Sequence, residues 1–256
     1  MAMLIDLHNH TDPSSDDSTL KVEELVRLAA ERGLDGVVVS DHDYFWNTKK
    51  LTPLDEGDLV RLGDDNGILV VPGVEINTDD GHLICFGLKE YIFGMHHTSR
   101  VKKYIDEADG AMLLAHPYRR QVLLDDSEEQ GWVRSLERIR DKPIWNLPDA
   151  VEVMNGRGFP DQNSFAQALA KDLGLRGLAN SDAHAPNDVA VCATLFFDTI
   201  KDQRDLINAM KAGNFRPVDV GKQVPPEIKK AINSNKFTLA HDKRYIPLTW
   251  SDFIIE

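Results

Sequence analysis

Short apolar runs alternate with segments of helical periodicity along almost the whole chain, and this alternation limits the possible folds more than any other feature. Residues 4–7, 36–40, 68–71, 82–86, 111–115, 150–154, 176–179 and 194–197 read as strands. Residues 22–32, 54–66, 100–108, 128–140, 162–173 and 202–212 read as helices, with Gly33, Gly67, Gly174 and Gly213 as C-terminal stops. Pro72 and Gly73 turn the chain before Val74 and Glu75. Such alternation implies α/β architecture, a parallel sheet with helices outside it. A length of 256 residues is normal for one α/β barrel and buries a full core without staples. The last stretch, 221–256, breaks the pattern with Pro225, Pro226, Pro247 and a short basic helix around Lys229 and Lys230. We read it as a C-terminal extension packed on a barrel that spans 1–220.

Composition removes several classes of function. With 42% hydrophobic and 28% charged residues, the chain is expected to be a soluble globular protein. A net charge of −13 opposes a broad nucleic-acid-binding face, yet leaves room for a phosphate site whose own cations cancel the local charge. The opening MAMLIDL has no basic n-region and is interrupted by Asp6, so no signal peptide is expected, and no apolar run reaches membrane-span length. Cys85 and Cys192, the two cysteines, sit in the apolar runs ICFG and VCATLFF and read as buried small hydrophobes. A reducing, cytoplasmic compartment fits that usage, and any metal chemistry must rest on His, Asp and Glu.

Those residues collect where strands end. His8 and His10 follow the first strand as HNH, and alternate residues on extended chain point the same way. Asp41 and His42 follow GVVVS, Glu75 ends PGVE, His116 follows AMLLA, and Asp182 and His184 follow RGLA. In a β/α barrel the carboxyl ends of the strands open onto one face, where active sites sit. Taken singly, each group has an ordinary explanation: an N-cap, a surface acid, a hydrogen-bonded loop residue. Their joint position at successive strand ends argues for a site. Mixed imidazole and carboxylate donors suit manganese, zinc or iron. They outnumber the three or four that one zinc needs, so two or more ions are expected.

The ordered motifs DLHNHT, VSDHD, GVEI, AHPYR and NSDAH resemble the PHP (polymerase and histidinol phosphatase) family over 6–198, and within it the stand-alone phosphoesterases. The resemblance implies a distorted (β/α)7 TIM-like barrel with up to three metal ions at the carboxyl ends of its strands. It implies that His8, His10, Glu75 and Asp182 hold the first ion. Glu75 would bridge to a second held by His82 and His116, with His82 placed by GHLICFG. His42, His184 and a loop acid would hold the third. For that acid, the following STLKVEELV favours Asp17, while spacing from His10 favours Asp16.

The implied activity is hydrolysis of a small phosphomonoester or nucleotide by a metal-activated hydroxide. Arg119 is the first candidate for positive charge on the phosphoryl oxygens, Arg157 the second and Arg120 a weaker third. Asn155 and Asn180 stand at strand ends and could orient water or substrate. Asp41 or His184 could protonate the leaving oxygen. Tyr44, Phe45 and Trp46 could stack on a base. His96, His97 and His241 read as surface residues. The expected partner is a small phosphorylated substrate, with no membrane and no extended nucleic-acid surface. An exonuclease or phosphodiesterase acting on short oligonucleotides would use the same metals, but would need a basic track that is not visible here. An amidohydrolase would bring a bridging lysine that is also not visible. A non-catalytic metal-binding module would have lost ligands that are present.

Overall fold

The computed structural model describes residues 1–12, 14–42, 56–117 and 129–256, the side chains of 129–132 excepted. The β-branched and apolar runs form strands β1 (Met3–Asp6), β2 (Gly36–Val39), β3 (Leu69–Pro72), β4 (Val74–Thr78), β5 (Gly81–Phe86), β6 (Ala111–Ala115), β7 (Ala150–Asn155), β8 (Gly177–Asn180), β9 (Cys192–Phe196) and β10 (Phe215–Asp219). Between them lie α1 (Val22–Glu31), α2 (Glu56–Asn66), α3 (Thr98–Glu107), α4 (Glu129–Ile139), α5 (Pro160–Leu173) and α6 (Gln203–Ala212). The chain continues through α7 (Pro226–Ser234) into the pair β11 (Phe237–Leu239) and β12 (Phe253–Ile255).

The strands form two five-stranded sheets, ordered β10-β9-β1-β2-β3 and β4-β5-β6-β7-β8. Both are mixed, where the alternation predicts parallel pairing throughout. β1–β2, β2–β3, β6–β7 and β7–β8 run parallel. β1–β9, β9–β10, β4–β5 and β5–β6 run antiparallel. For β4 and β5 the reason is local: only Asp79 and Asp80 join them, far too short a link for a parallel crossover.

The sheets face one interior. Ile5, Val38 and Val71 of the first pack in the same apolar cluster as Ile84, Leu113 and Leu178 of the second. At one seam the chain passes from β3 to β4 through Gly73, whose amide donates to the Val39 carbonyl at 2.8 Å. A Cβ at Gly73 would lie 2.9 Å from Val38 Cγ1, so only glycine lets the chain pass this close to β2. At the other seam side chains replace a ladder. The Leu7 amide donates to Asn180 Oδ1 at 2.9 Å, and Thr194 Oγ1 donates to the Ala179 carbonyl at 3.0 Å. The strand ladders therefore do not close into the expected barrel, although the site still lies where strand ends of both sheets converge.

The segment after Gly221 is built into the core. Val224, Ile228, Ile232, Leu248 and Phe253 are buried in one cluster with Leu25 and Ala29 of α1. Cys85 and Cys192 are both buried. Among the described residues no helix is long and apolar enough to cross a membrane.

Candidate metal centre

Glu75, on β4 and 1% exposed, is surrounded by five imidazoles. Its Oε1 lies 2.9 Å from His82 Nδ1, 3.1 Å from His116 Nε2 and 3.5 Å from His8 Nε2. Its Oε2 lies 3.0 Å from His42 Nδ1 and 3.3 Å from His10 Nε2. Asp182 adds a second acid, with Oδ1 3.3 Å from His8 Nε2 and 3.5 Å from His10 Nε2. Asp17 closes the far side: Oδ2 is 3.1 Å from His184 Nε2 and 3.5 Å from His42 Nε2. The alternation within HNH explains how one short segment contributes twice. His8 and His10 turn inward, while Asn9 turns away and donates to the Val38 carbonyl at 3.2 Å.

Hydrogen bonds fix which ring nitrogen faces this cavity. His8 Nδ1 donates to Glu152 Oε1 at 2.8 Å. His184 Nδ1 donates to the Asp182 carbonyl at 2.9 Å. Ser15 Oγ gives its proton to Asp41 Oδ1 at 3.1 Å and so accepts from His10 Nδ1 at 3.2 Å. All three rings thereby aim an Nε2 lone pair inward. His8 Nε2 and His10 Nε2 end up 2.9 Å apart, close enough to share one proton or one cation. Ligand atoms fall into three overlapping groups, each within 4.8 Å: His8, His10 and Asp182; His8, Glu75 and His116; His10, His42 and His184. This donor set fits divalent cations.

The electrostatics point the same way. Burial raises the pKa of Glu75, but His8 and the surrounding imidazoles overcome it and hold the carboxyl well below its usual range. Burial opposes charge on His8, while Asp182, Glu152 and Glu75 override it and raise its pKa. Burial wins at His10, whose pKa falls to about 4. Two residues adopt left-handed backbone rare outside glycine: His116 at φ 27° and Asp182 at φ 54°. Such strain persists where surrounding structure enforces it, often at functional sites.

The predicted residues are placed as follows. His8, His10, His42, Glu75, His82, His116, Asp182 and His184 converge, and of the two loop acids it is Asp17 whose carboxylate lies against histidines. Asp41, expected as one of two acids for the leaving group, is bound within the loop that follows His10. Its Oδ2 accepts from Thr11 Oγ1 at 2.8 Å and its Oδ1 from Ser15, so it organises the loop that carries His10. Burial pushes its pKa up to about 6. Asn155 and Asn180 turn toward Glu152 and not toward open space, donating to it at 2.9 Å each. Arg157 is exposed, just beyond β7. Tyr44, Phe45, Trp46, Arg119 and Arg120 lie outside the described residues. His96, His97 and His241 are exposed and away from the cluster. Glu152 went unnoticed in the sequence. Its signal was an acid in the middle of AVEVM, at a position that an interior strand normally fills with an apolar residue.

The fold is thus a mixed α/β one that presents buried imidazoles around shared carboxylates. A model of the PHP domain matches residues 6–134, and a model of a PHP-associated region matches residues 160–215. The chain belongs to the PHP family. It is 27% identical over 205 residues to an uncharacterized protein of Methanocaldococcus jannaschii, covering 73% of this chain and 84% of that one. A two-domain protein of Bacteroides vulgatus, described as containing a predicted PHP-like metal-dependent phosphoesterase, superposes with a TM-score of 0.57 at 17% identity, over 95% of this chain and 73% of the other. A lesion-specific endonuclease of Pyrococcus furiosus gives a TM-score of 0.56 at 17% identity, over 98% of this chain and 65% of its own. At these identities the structural likeness speaks to fold alone.

Proposed function

We propose that this chain is a metal-dependent phosphoesterase that hydrolyses a small phosphomonoester or nucleotide. One observation carries the reading: five imidazoles ring a single buried carboxylate, Glu75, with Asp182 and Asp17 beside them. His8, His10, Glu75 and Asp182 would hold a first ion, Glu75, His82 and His116 a second, and His42, His184 and Asp17 a third. Manganese, zinc and iron all suit this donor set. Two or three such ions, when bound, supply charge to phosphoryl oxygens and lower the pKa of water.

The protein's own part is to hold and orient. Glu152, Ser15 and the Asp182 carbonyl each keep one ring nitrogen protonated, which leaves the other free to ligate. Asp41 keeps Ser15 in place. Arg157, just past β7, and Arg119 in AHPYRR are the cations for the phosphate. The net charge of −13 favours a small substrate over a long nucleic acid.

The test is phosphate release from a panel of phosphomonoesters by metal-stripped protein, with and without manganese, beside a His8→Ala, Glu75→Ala double variant. Manganese-dependent turnover that the variant lacks supports the reading, and the preferred panel member begins the substrate assignment. Cleavage of short oligonucleotides alone would replace it with a nuclease. Metal binding without turnover on any ester would mark a non-catalytic module.

A further inference from the structure

We infer that Glu152, in the middle of β7, is the positioning residue that sets the proton on His8 and so decides which of its nitrogens can take a metal. The inference rests on the metal reading above, but concerns a residue outside the proposed ligand set.

Glu152 is fully buried, and it accepts four donors. Oε1 takes His8 Nδ1 at 2.8 Å and Asn180 Nδ2 at 2.9 Å. Oε2 takes the His116 amide at 2.7 Å and Asn155 Nδ2 at 2.9 Å. Three of these donors cannot become acceptors. The His116 donor is backbone. Asn180 is locked because its Oδ1 accepts the Leu7 amide at 2.9 Å. Asn155 is locked because its Oδ1 accepts the Arg157 amide at 3.0 Å. Only His8 can exchange donor for acceptor, by moving its proton from Nδ1 to Nε2.

An ionised carboxylate only accepts, so it satisfies all four donors and pins the His8 proton on Nδ1. With four donors already on its two oxygens, Glu152 has no oxygen left free to carry a proton, and the geometry itself holds it as the carboxylate. The same carboxylate ties together β1, β6, β7 and β8, the strands that carry or precede His8, His116, Asn155 and Asp182. It also holds His116 in its left-handed conformation through the backbone amide.

A glutamine of the same shape would break this pattern in a defined way. Its oxygen must face the His116 amide and Asn155, since the opposite orientation sets an NH2 against two donors that cannot adapt. The NH2 then faces Asn180 Nδ2, which is left without an acceptor there, and His8 Nδ1, which becomes an acceptor as the His8 proton moves to Nε2. That nitrogen is the one facing His10, Glu75 and Asp182.

The experiment is a zinc-binding isotherm of metal-stripped wild type and Glu152→Gln, read beside ¹⁵N spectra of histidine-labelled protein, with a thermal melt to establish folding. The expected result is a zinc affinity about 10–100-fold weaker in the variant, together with an Nε2–H signature for His8 that replaces the wild-type Nδ1–H. An unchanged isotherm overturns the inference, and so does an unmoved His8 proton. Should the variant not fold, zinc-loaded wild type decides the matter: a protonated Nδ1 on His8 with Nε2 ligating supports it, and ligation through Nδ1 overturns it. A wild-type chain that takes up no zinc would instead sink the metal reading, a failure visible before any variant is compared.

Discussion

A single residue position separates Asp16 from Asp17, and the geometry makes them unequal. Asp17 is half exposed, yet its carboxylate meets both His184 and His42, which together with His10 lower its pKa once its burial is overcome. Asp17→Asn should therefore reduce bound metal by one site while leaving the thermal stability of the metal-free protein nearly unchanged. Asp16→Asn should alter neither. Metal content by elemental analysis after manganese loading checks this, and equal loss in both variants would contradict the placement. The sequence left this pair open because the choice depends on how the loop after His10 coils, which residue spacing alone does not specify.

At the scale of elements, Asp252 shows how the C-terminal pair β11–β12 is tied down. It sits in a short 3-10 turn, where its Oδ2 accepts from the Thr249 amide at 2.8 Å and from Lys243 Nζ at 2.8 Å. Burial would raise its pKa, but the Lys243 bond and the Thr249 donors outweigh it and lower it. A lowered acid contributes stability above its unfolded pKa of about 3.9, and that contribution is lost as pH falls through the folded value. Asp252→Asn should thus destabilise by about 1–2 kcal/mol near neutrality, with the gap from wild type narrowing as pH falls below the unfolded pKa of about 3.9. Urea midpoints at the two pH values check it, and a gap that persists in acid would argue against the charge as its cause. The hairpin itself was invisible in the sequence: three-residue strands carry too little periodicity to register.

For the whole molecule, folding must gather acids and imidazoles into one buried cluster, a donor set that suits cations. Ions that bind only the folded state raise stability by about 2.7 kcal/mol when present at 100 times their dissociation constant. For a chain of this size that is a rise of roughly 5–10 °C in melting temperature. Chelation of loaded protein should reverse it, and the His8→Ala, Glu75→Ala variant should show almost none. A melting temperature indifferent to chelator would mean that the cluster is held without metal.

Much of this protein is written locally. Strands and helices follow from apolar period, and the site residues from their place after strands, since a βα unit delivers the end of its strand to one face whatever lies around it. Thus His8, His10, Glu75, His116, Asp182 and His184 were legible before any coordinates. The antiparallel pairings and the unclosed seam between β1 and β8 were not. They depend on contacts between segments far apart in the chain, such as Leu7 with Asn180. Glu152 belongs to the same category. An acid in a strand reads as an exposed residue until the fold brings His8, His116, Asn155 and Asn180 around it, and only that enclosure makes a buried charge tolerable.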